Sequence, residues 1–274
     1  MQTIDPLKRA KLKLFLDKVA QQIERPGFIK TDPVQFMYRF DHKKDQELAG
    51  FFAAIMAWGR RDIVIKKVDN LLLRMDYRPA EFIRNFTDTD ARRLVGFKHR
   101  TFKPVDLYWI VRILKSILKE YDDFESFWLH CLNIARSTDR PLMGVFHEEF
   151  FKREPNFSSR TRKHISNAEK NSACKRLYLY LKWCLRKESS VDPGIMDFMD
   201  PADLKIPLDV HVARQARRMG LLTRKYNDWK AVEELTRNLQ KMDRHDPVKY
   251  DYALFGIGVD GYSLPPDFYV NKVN

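Results

Sequence analysis

Cysteine is scarce and irregularly placed. The three residues, Cys131, Cys174 and Cys184, are odd in number and share no regular spacing. They exclude a disulfide framework, a CxxC-type structural zinc site and an all-cysteine iron–sulfur cluster. Glycine is also sparse, at 10 residues in 274, and turn dipeptides are few. That speaks against a β-rich fold; neither a P-loop nor a Gly-x-Gly-x-x-Gly fingerprint occurs. The longest apolar run, Leu48 to Trp58, is too short to cross a bilayer and ends at Arg60-Arg61. The opening stretch, Met1 to Lys18, is charged throughout and lacks the apolar core of a signal peptide. The expectation is a soluble, cytoplasmic, monomeric protein with no membrane partner, no metal and no cofactor.

Acidic charge is the minority sign. Asp plus Glu number 37 against 50 Lys plus Arg, a formal net charge of +13. An excess of that size favours a polyanionic partner, nucleic acid first among them. With 44% hydrophobic and 32% charged residues, the chain is no disordered polyelectrolyte and has enough apolar material for a real core.

The hydrophobic period is helical almost everywhere. Leu12, Phe15, Leu16 and Val19 form one stripe. Leu107, Ile110, Val111, Leu114, Ile117, Leu118 and Tyr121 form a longer one behind Lys103-Pro104, a helix-start signal. Further helices are expected over Leu48–Trp58, Ile63–Met75, Trp229–Leu239 and Tyr250–Gly258. Leu177–Leu185 alternates Leu with aromatics, and for want of partner strands it reads as a helix. The class is all-α. Breaks fall at Arg25-Pro26-Gly27, Tyr77-Arg78-Pro79, Ser137–Pro141 and Asp192-Pro193-Gly194. The polar stretch Glu154–Asn171, with Lys152, Arg153, Arg160, Arg162 and Lys163 on or beside it, reads equally as a solvated loop and as a phosphate-facing segment.

The most informative segment runs from Ile206 to Leu221. Asp209 follows Pro207-Leu208 and is a good helix N-cap; Val212, Ala216 and Met219 make an inward stripe; Gly220 is a stop. Taken alone, Asp209 is simply a cap. A second segment, Asn171 to Trp183, carries Lys175 and Lys182 on one expected helix, both of which read by default as solvated charge. A third, Ala57-Trp58-Gly59-Arg60-Arg61-Asp62, is a helix–helix junction carrying an aromatic ring and two arginines. His245-Asp246 lacks the further ligands that a metal phosphohydrolase needs, and Cys174 beside Lys175 reads as a small buried thiol.

Leu208-Asp209-Val210-His211 and Arg218-Met219-Gly220-Leu221 resemble the Asp-bearing helix of the helix-hairpin-helix DNA glycosylase superfamily. Lys175 matches the lysine that opens the helix after the hairpin in bifunctional members. The pattern of a Lys, six mostly apolar residues and a second Lys, here Lys175 and Lys182, is closest to the archaeal 8-oxoguanine DNA glycosylase branch. The chain as a whole is similar to an uncharacterised bacterial domain-of-unknown-function family, itself distantly related to these glycosylases. One departure is plain: the usual hairpin carries Gly-x-Gly, and the stretch Asn171–Cys174 has no glycine.

The resemblance implies two helical lobes with a DNA-binding cleft between them. The organisation would be an N-terminal helical extension over 1–47, a glycosylase-like domain over 48–260 and a tail over 261–274. It implies excision of an oxidised purine such as 8-oxoguanine from double-stranded, damaged DNA, possible lyase activity included. Lys175, its pKa lowered by burial, would attack C1′, and Asp209 would stabilise the charge developing on the sugar; Lys182 is the rival nucleophile. Trp58, Arg60, Arg61, Arg176, Arg214, Arg217 and Arg218 would contact DNA, and Trp183 and His211 would line the base pocket, with Trp58 a further candidate to hold the base. The alternative is a non-catalytic nucleic-acid binder on the same fold, with Lys175 a phosphate contact.

Overall fold

The computed structural model describes residues 5–259, 262 and 264–269. Among them are thirteen α-helices: α1 (Pro6–Ile23), α2 (Pro26–Ile29), α3 (Lys43–Ile55), α4 (Arg61–Arg74), α5 (Pro79–Asn85), α6 (Ala91–Leu94), α7 (Pro104–Glu120), α8 (Phe124–Thr138), α9 (Leu142–Lys152), α10 (Lys175–Leu185), α11 (Val210–Arg218), α12 (Trp229–Gln240) and α13 (Tyr250–Val259). The described residues contain no β-strand, only two isolated bridges, His99 with Phe102 and Ser172 with Asp228. The chain is all-α, as its hydrophobic period predicts. No helix among the described residues is long and apolar enough to cross a membrane.

Helix boundaries follow local chemistry. Prolines stand in the first turn of α1, α2, α5 and α7, where a missing N–H costs nothing. Carboxylates of Asp5, Asp123, Asp209 and Asp228 accept first-turn N–H groups of α1, α8, α11 and α12. Helix α7 starts at Pro104 as expected, with Asp106 accepting the Lys103 N–H at 2.9 Å. At the other end of α11, Gly220 takes φ +74° just past the C-cap, the left-handed position that a side chain resists.

Helix α3 is the centre. Every residue from Glu47 to Ile55 is buried and those after Glu47 are all apolar or glycine, so this part of the helix must be surrounded. It packs against the 3₁₀ turn Pro33–Arg39 and against α4, α5, α8 and α10. The expected helix over Leu48–Trp58 ends earlier, at Ile55, because Ala57–Gly59 forms the connector to α4. An aromatic cluster joins α3, α8, α9 and α10: Trp128 stacks on Phe146 with centroids 3.8 Å apart, and the Phe51 ring lies edge-on to Phe124 at 5.0 Å and to Tyr180 at 5.7 Å. Helix α13 packs between α1 and α11, which carries α11 and its N-terminal Asp209 back toward the start of α10. Of the expected tail, residues 262 and 264–269 are described, and Phe268 packs on Phe15 of α1 at 5.2 Å.

The basic stretch Glu154–Asn171 is tied into the fold. Arg160 pairs with the buried Asp106, Arg153 pairs with Glu120, and Arg162 lies 4.6 Å over the Phe157 ring. Arg153 and Arg160 thereby spend their charge on carboxylates within the fold, whereas Arg162 is exposed and among the described residues meets only aromatic rings.

Candidate functional site

Asp209 uses its two oxygens differently. Oδ1 accepts the N–H groups of His211 and Val212, both at 2.8 Å, and so caps α11. Oδ2 faces the Nζ of Lys175 at 3.4 Å. The cap holds the carboxylate in one rotamer, so capping and pairing are complementary roles of one side chain. The Lys175 side chain is 31% exposed and Asp209 14%, which corrects the expectation of a buried lysine: Lys175 sits on a cavity wall.

Lys175 is the first residue of α10, and the backbone before it is unusual. Asn171 (φ +61°) and Cys174 (φ +50°) both adopt the left-handed conformation, so the glycine-free turn makes the backbone reversals that glycine makes cheaply. Asn tolerates that region; Cys does so at a cost of about 1–2 kcal/mol. The turn is stapled to α12: Asn171 Nδ2 donates to Asp228 Oδ2 at 3.2 Å, and Trp229 N–H donates to the Asn171 carbonyl at 3.3 Å. No side chain caps α10. The Cys174 thiol is buried, and burial pushes it up to about 12, which leaves it inert at neutral pH.

The pair opens on a cavity of about 1010 Å³. Its walls include Trp58 and Gly59 of the α3–α4 connector, Arg61 at the start of α4, Phe28 of α2, Asp32, the N-terminal turns of α10 and α11, and Asp251 and Phe255 of α13. Trp58, Trp183 and His211, picked out from the sequence, all line it, although Trp183 is only 1% exposed. The His211 Nδ1 and the Trp58 Nε1 are buried without a hydrogen-bond partner. Burial lowers the guanidinium of Arg176 to about 10; it has no carboxylate partner among the described residues and donates to the carbonyls of Ile55 and Lys163. Arg100, which the sequence reading missed, lies 4.5 Å over the Trp58 ring. Gly59 holds φ +101°, which a side chain resists, and a Cβ there would also push the Arg100 Nη1, 2.8 Å away, off the Trp58 ring.

Lys182 has a different environment. It is 2% exposed, its Nζ donates to Asp251 Oδ2 at 2.7 Å, and it lies 3.6 Å over the Tyr252 ring. Burial by itself lowers the ammonium, but Asp251 and then Asp192 outweigh it and hold Lys182 above its ordinary range. The solvated-charge reading of Lys182 is therefore corrected. A charged, buried, ion-paired amine is a poor nucleophile.

The family model described as a protein of unknown function (DUF2400) matches residues 32–260. The chain belongs to this family. No curated protein and no solved structure matches it. Of the cavity residues named above, only Phe28 lies outside the part that matches the DUF2400 model.

The remaining sequence candidates are distributed as follows. Arg61 lies on the cavity wall. Arg60 is exposed and paired with Asp62 at 2.9 Å. Arg214 donates to the Gly258 carbonyl at 3.1 Å, Arg217 to the Arg224 carbonyl at 2.8 Å and Asn227 Oδ1 at 2.6 Å, and Arg218 to Gln215 Oε1 at 3.2 Å and to the Tyr269 hydroxyl. None of Arg214, Arg217 and Arg218 hydrogen-bonds a carboxylate among the described residues, although the charge of Glu234 acts on Arg217. Asp246 is held by Arg186 at 2.8 Å. Among the described residues one carboxylate cluster has metal-like spacing, Glu47, Asp123 and Glu125, and the Lys43 ammonium already bridges Glu125 and Glu47.

Proposed function

We propose that this protein is a DNA glycosylase, with lyase activity following from the same lysine, and that the cavity receives a base turned out of the duplex. The observation that carries the reading is the Lys175–Asp209 pair: an amine and a carboxylate 3.4 Å apart, on two different helix N-termini, at the wall of a cavity of about 1010 Å³. The glycosylase resemblance of the two sequence segments that hold these residues supports it. So does the net charge of +13.

In this reading the ion pair is the resting form. Lys175 gives up a proton, its Nζ forms a bond to C1′ of the sugar, and the C1′–N glycosidic bond breaks with its electron pair leaving on the base, which takes up a proton. Asp209 stabilises the positive charge that develops on the sugar, and its cap keeps it in place without reorganisation. The C1′–O4′ bond then breaks as the Nζ lone pair forms the Schiff base, O4′ taking up a proton, and loss of a C2′ proton with cleavage of the C3′–O bond eliminates the 3′ phosphate. DNA would lie across two helical lobes, with Arg100, Arg176, Arg214, Arg217 and Arg218 supplying phosphate contacts and Trp58 stacking at the cavity. An oxidised purine such as 8-oxoguanine is the substrate expected from the resemblance. The test is base release from a panel of lesion-containing duplexes: parent protein should release a base, and Lys175→Gln should not.

A second reading has one specific observation behind it. Lys175 is 31% exposed, as suits a phosphate contact in a non-catalytic binder of damaged or structured nucleic acid. Duplex binding without base release from any lesion would favour it.

A further inference from the structure

Two further residues on the cavity wall are chemically unsatisfied in a complementary way. Asp32 heads the 3₁₀ turn Pro33–Arg39, and its Oδ1 accepts the Val34 N–H at 3.1 Å. Its Oδ2 accepts no hydrogen bond among the described residues; the Arg61 Nε, at 3.9 Å, is too far for one. Arg61 is stranger still. Its guanidinium makes no hydrogen bond among the described residues, and its Nη2 is buried without a partner. Two aromatic rings hold it instead, Phe255 at 4.6 Å and Phe28 at 5.1 Å. All four residues line the cavity that Lys175 and Asp209 share. The guanidinium, fixed by the rings and with one buried unused donor, stands beside a capped carboxylate whose second oxygen is free to accept, and the two together form a preorganised polar pair facing the cavity.

Resting on the base-cavity reading above, we infer that Asp32 and Arg61 read the lactam edge of the base, the ring N–H beside an exocyclic carbonyl. Asp32 Oδ2 accepts the ring N–H, and Arg61 donates to the carbonyl oxygen. Hypoxanthine, guanine, uracil and the N7–H/C8=O edge of an 8-oxopurine all present that order. Adenine and cytosine present the reverse, a ring nitrogen lone pair beside an amine, which sets the lone pair against the carboxylate and leaves the guanidinium opposite a donor. Rejection of this kind is strong because the wrong base leaves buried groups unpaired. Phe28 and Phe255 fix the guanidinium, so they act as positioning residues.

The test compares matched bases on the full chain. 9-Methylhypoxanthine against 9-methyladenine, and 1-methyluracil against 1-methylcytosine, in which the methyl group blocks the glycosidic nitrogen, are titrated by calorimetry, with quenching of tryptophan fluorescence as a second readout, since Trp58 and Trp183 line the cavity. The lactam base of each pair should bind on the order of tenfold more tightly or better. Asp32→Asn keeps the side-chain shape and the capping oxygen for Val34, so a thermal melt should show it folded; it should erase or invert the preference, because an amide can turn its NH₂ toward a ring nitrogen. Arg61→Gln should weaken the lactam bases while sparing the others. Equal binding within each pair, no binding of any base, or a preference that Asp32→Asn leaves intact overturns the inference. The outcomes also separate the two proposals. A lactam preference that depends on Asp32 without base release from any lesion leaves edge reading standing and removes the Lys175 chemistry. Base release whose lesion preference ignores Asp32→Asn does the reverse.

Discussion

Lys182 and Asp251 form a buried ion pair, Nζ to Oδ2 at 2.7 Å, two turns along α10 from the partly exposed Lys175. The two lysines of one helix are thereby separated in role: one charge is locked in the interior and the other stands at a cavity wall. Removing one partner of a buried pair leaves the other charge uncompensated. Lys182→Met should therefore lower stability by about 3–5 kcal/mol in denaturant titration, and Lys182→Met with Asp251→Leu should recover a good part of the loss. A Lys182→Met protein as stable as the parent would show that the pair is not ionised.

Asp209 carries two separable roles, and substitutions divide them. Asp209→Asn keeps a capping oxygen for His211 and Val212, so its melting temperature should stay within a few degrees of the parent. Asp209→Ala loses both hydrogen bonds and should cost about 1–2 kcal/mol. Base release should be lost in both. A folded Asp209→Asn that keeps full activity would leave Asp209 as a cap alone.

Glu47 gives a pH signature unrelated to the cavity. It is fully buried on α3, Oε2 accepts the Phe124 N–H at 3.0 Å, and Oε1 has no hydrogen-bond partner. Burial raises its carboxyl to about 7 from an ordinary 4.5. The folded state thus holds a proton that the unfolded chain releases above 4.5. Stability from this group is fully present below pH 4.5 and is lost as pH rises through about 7, a change of about 3 kcal/mol at 1.36 kcal/mol per pH unit. Glu47→Gln should flatten the stability–pH curve across that window and be the more stable protein at pH 8. A curve with the same slope in both proteins would contradict the assignment.

Much of the architecture was legible in the sequence because it depends on local signals: period 3.6 along α7 and α11, Pro104 at a helix start, Asp209 as a cap, Gly220 as a stop. The Lys175–Asp209 pair was legible through the resemblance, and the geometry brings the two together. What sequence reasoning missed depends on tertiary phase. Arg60 and Arg61 are neighbours in the chain, yet one points to solvent and the other sits between Phe28 and Phe255; which is which follows from how α4 docks. Asp32 and Phe28 were passed over because the first 47 residues read as an extension outside the domain. Lys182 had a usable signal: it stands in Tyr180-Leu181-Lys182-Trp183-Cys184, with apolar residues on every side, and Asp251 stands likewise between two tyrosines. A charge so surrounded is more often buried and paired than solvated.

Nucleic-acid binding should show the electrostatic signature of arginine–phosphate contacts. The logarithm of duplex affinity should fall linearly with the logarithm of salt concentration, and Arg100→Gln should reduce the slope by about 1 if Arg100 meets one phosphate. Binding that ignores salt would remove the nucleic-acid reading.

The central claim is that Lys175 is the nucleophile, and borohydride trapping reads this directly. Parent protein mixed with duplexes carrying 8-oxoguanine, hypoxanthine or uracil, reduced and digested, should yield a DNA–peptide adduct that mass spectrometry maps to Lys175. Lys175→Gln should yield none while binding the same duplexes. An adduct mapping to another lysine, or no adduct with any of these duplexes, would contradict the account.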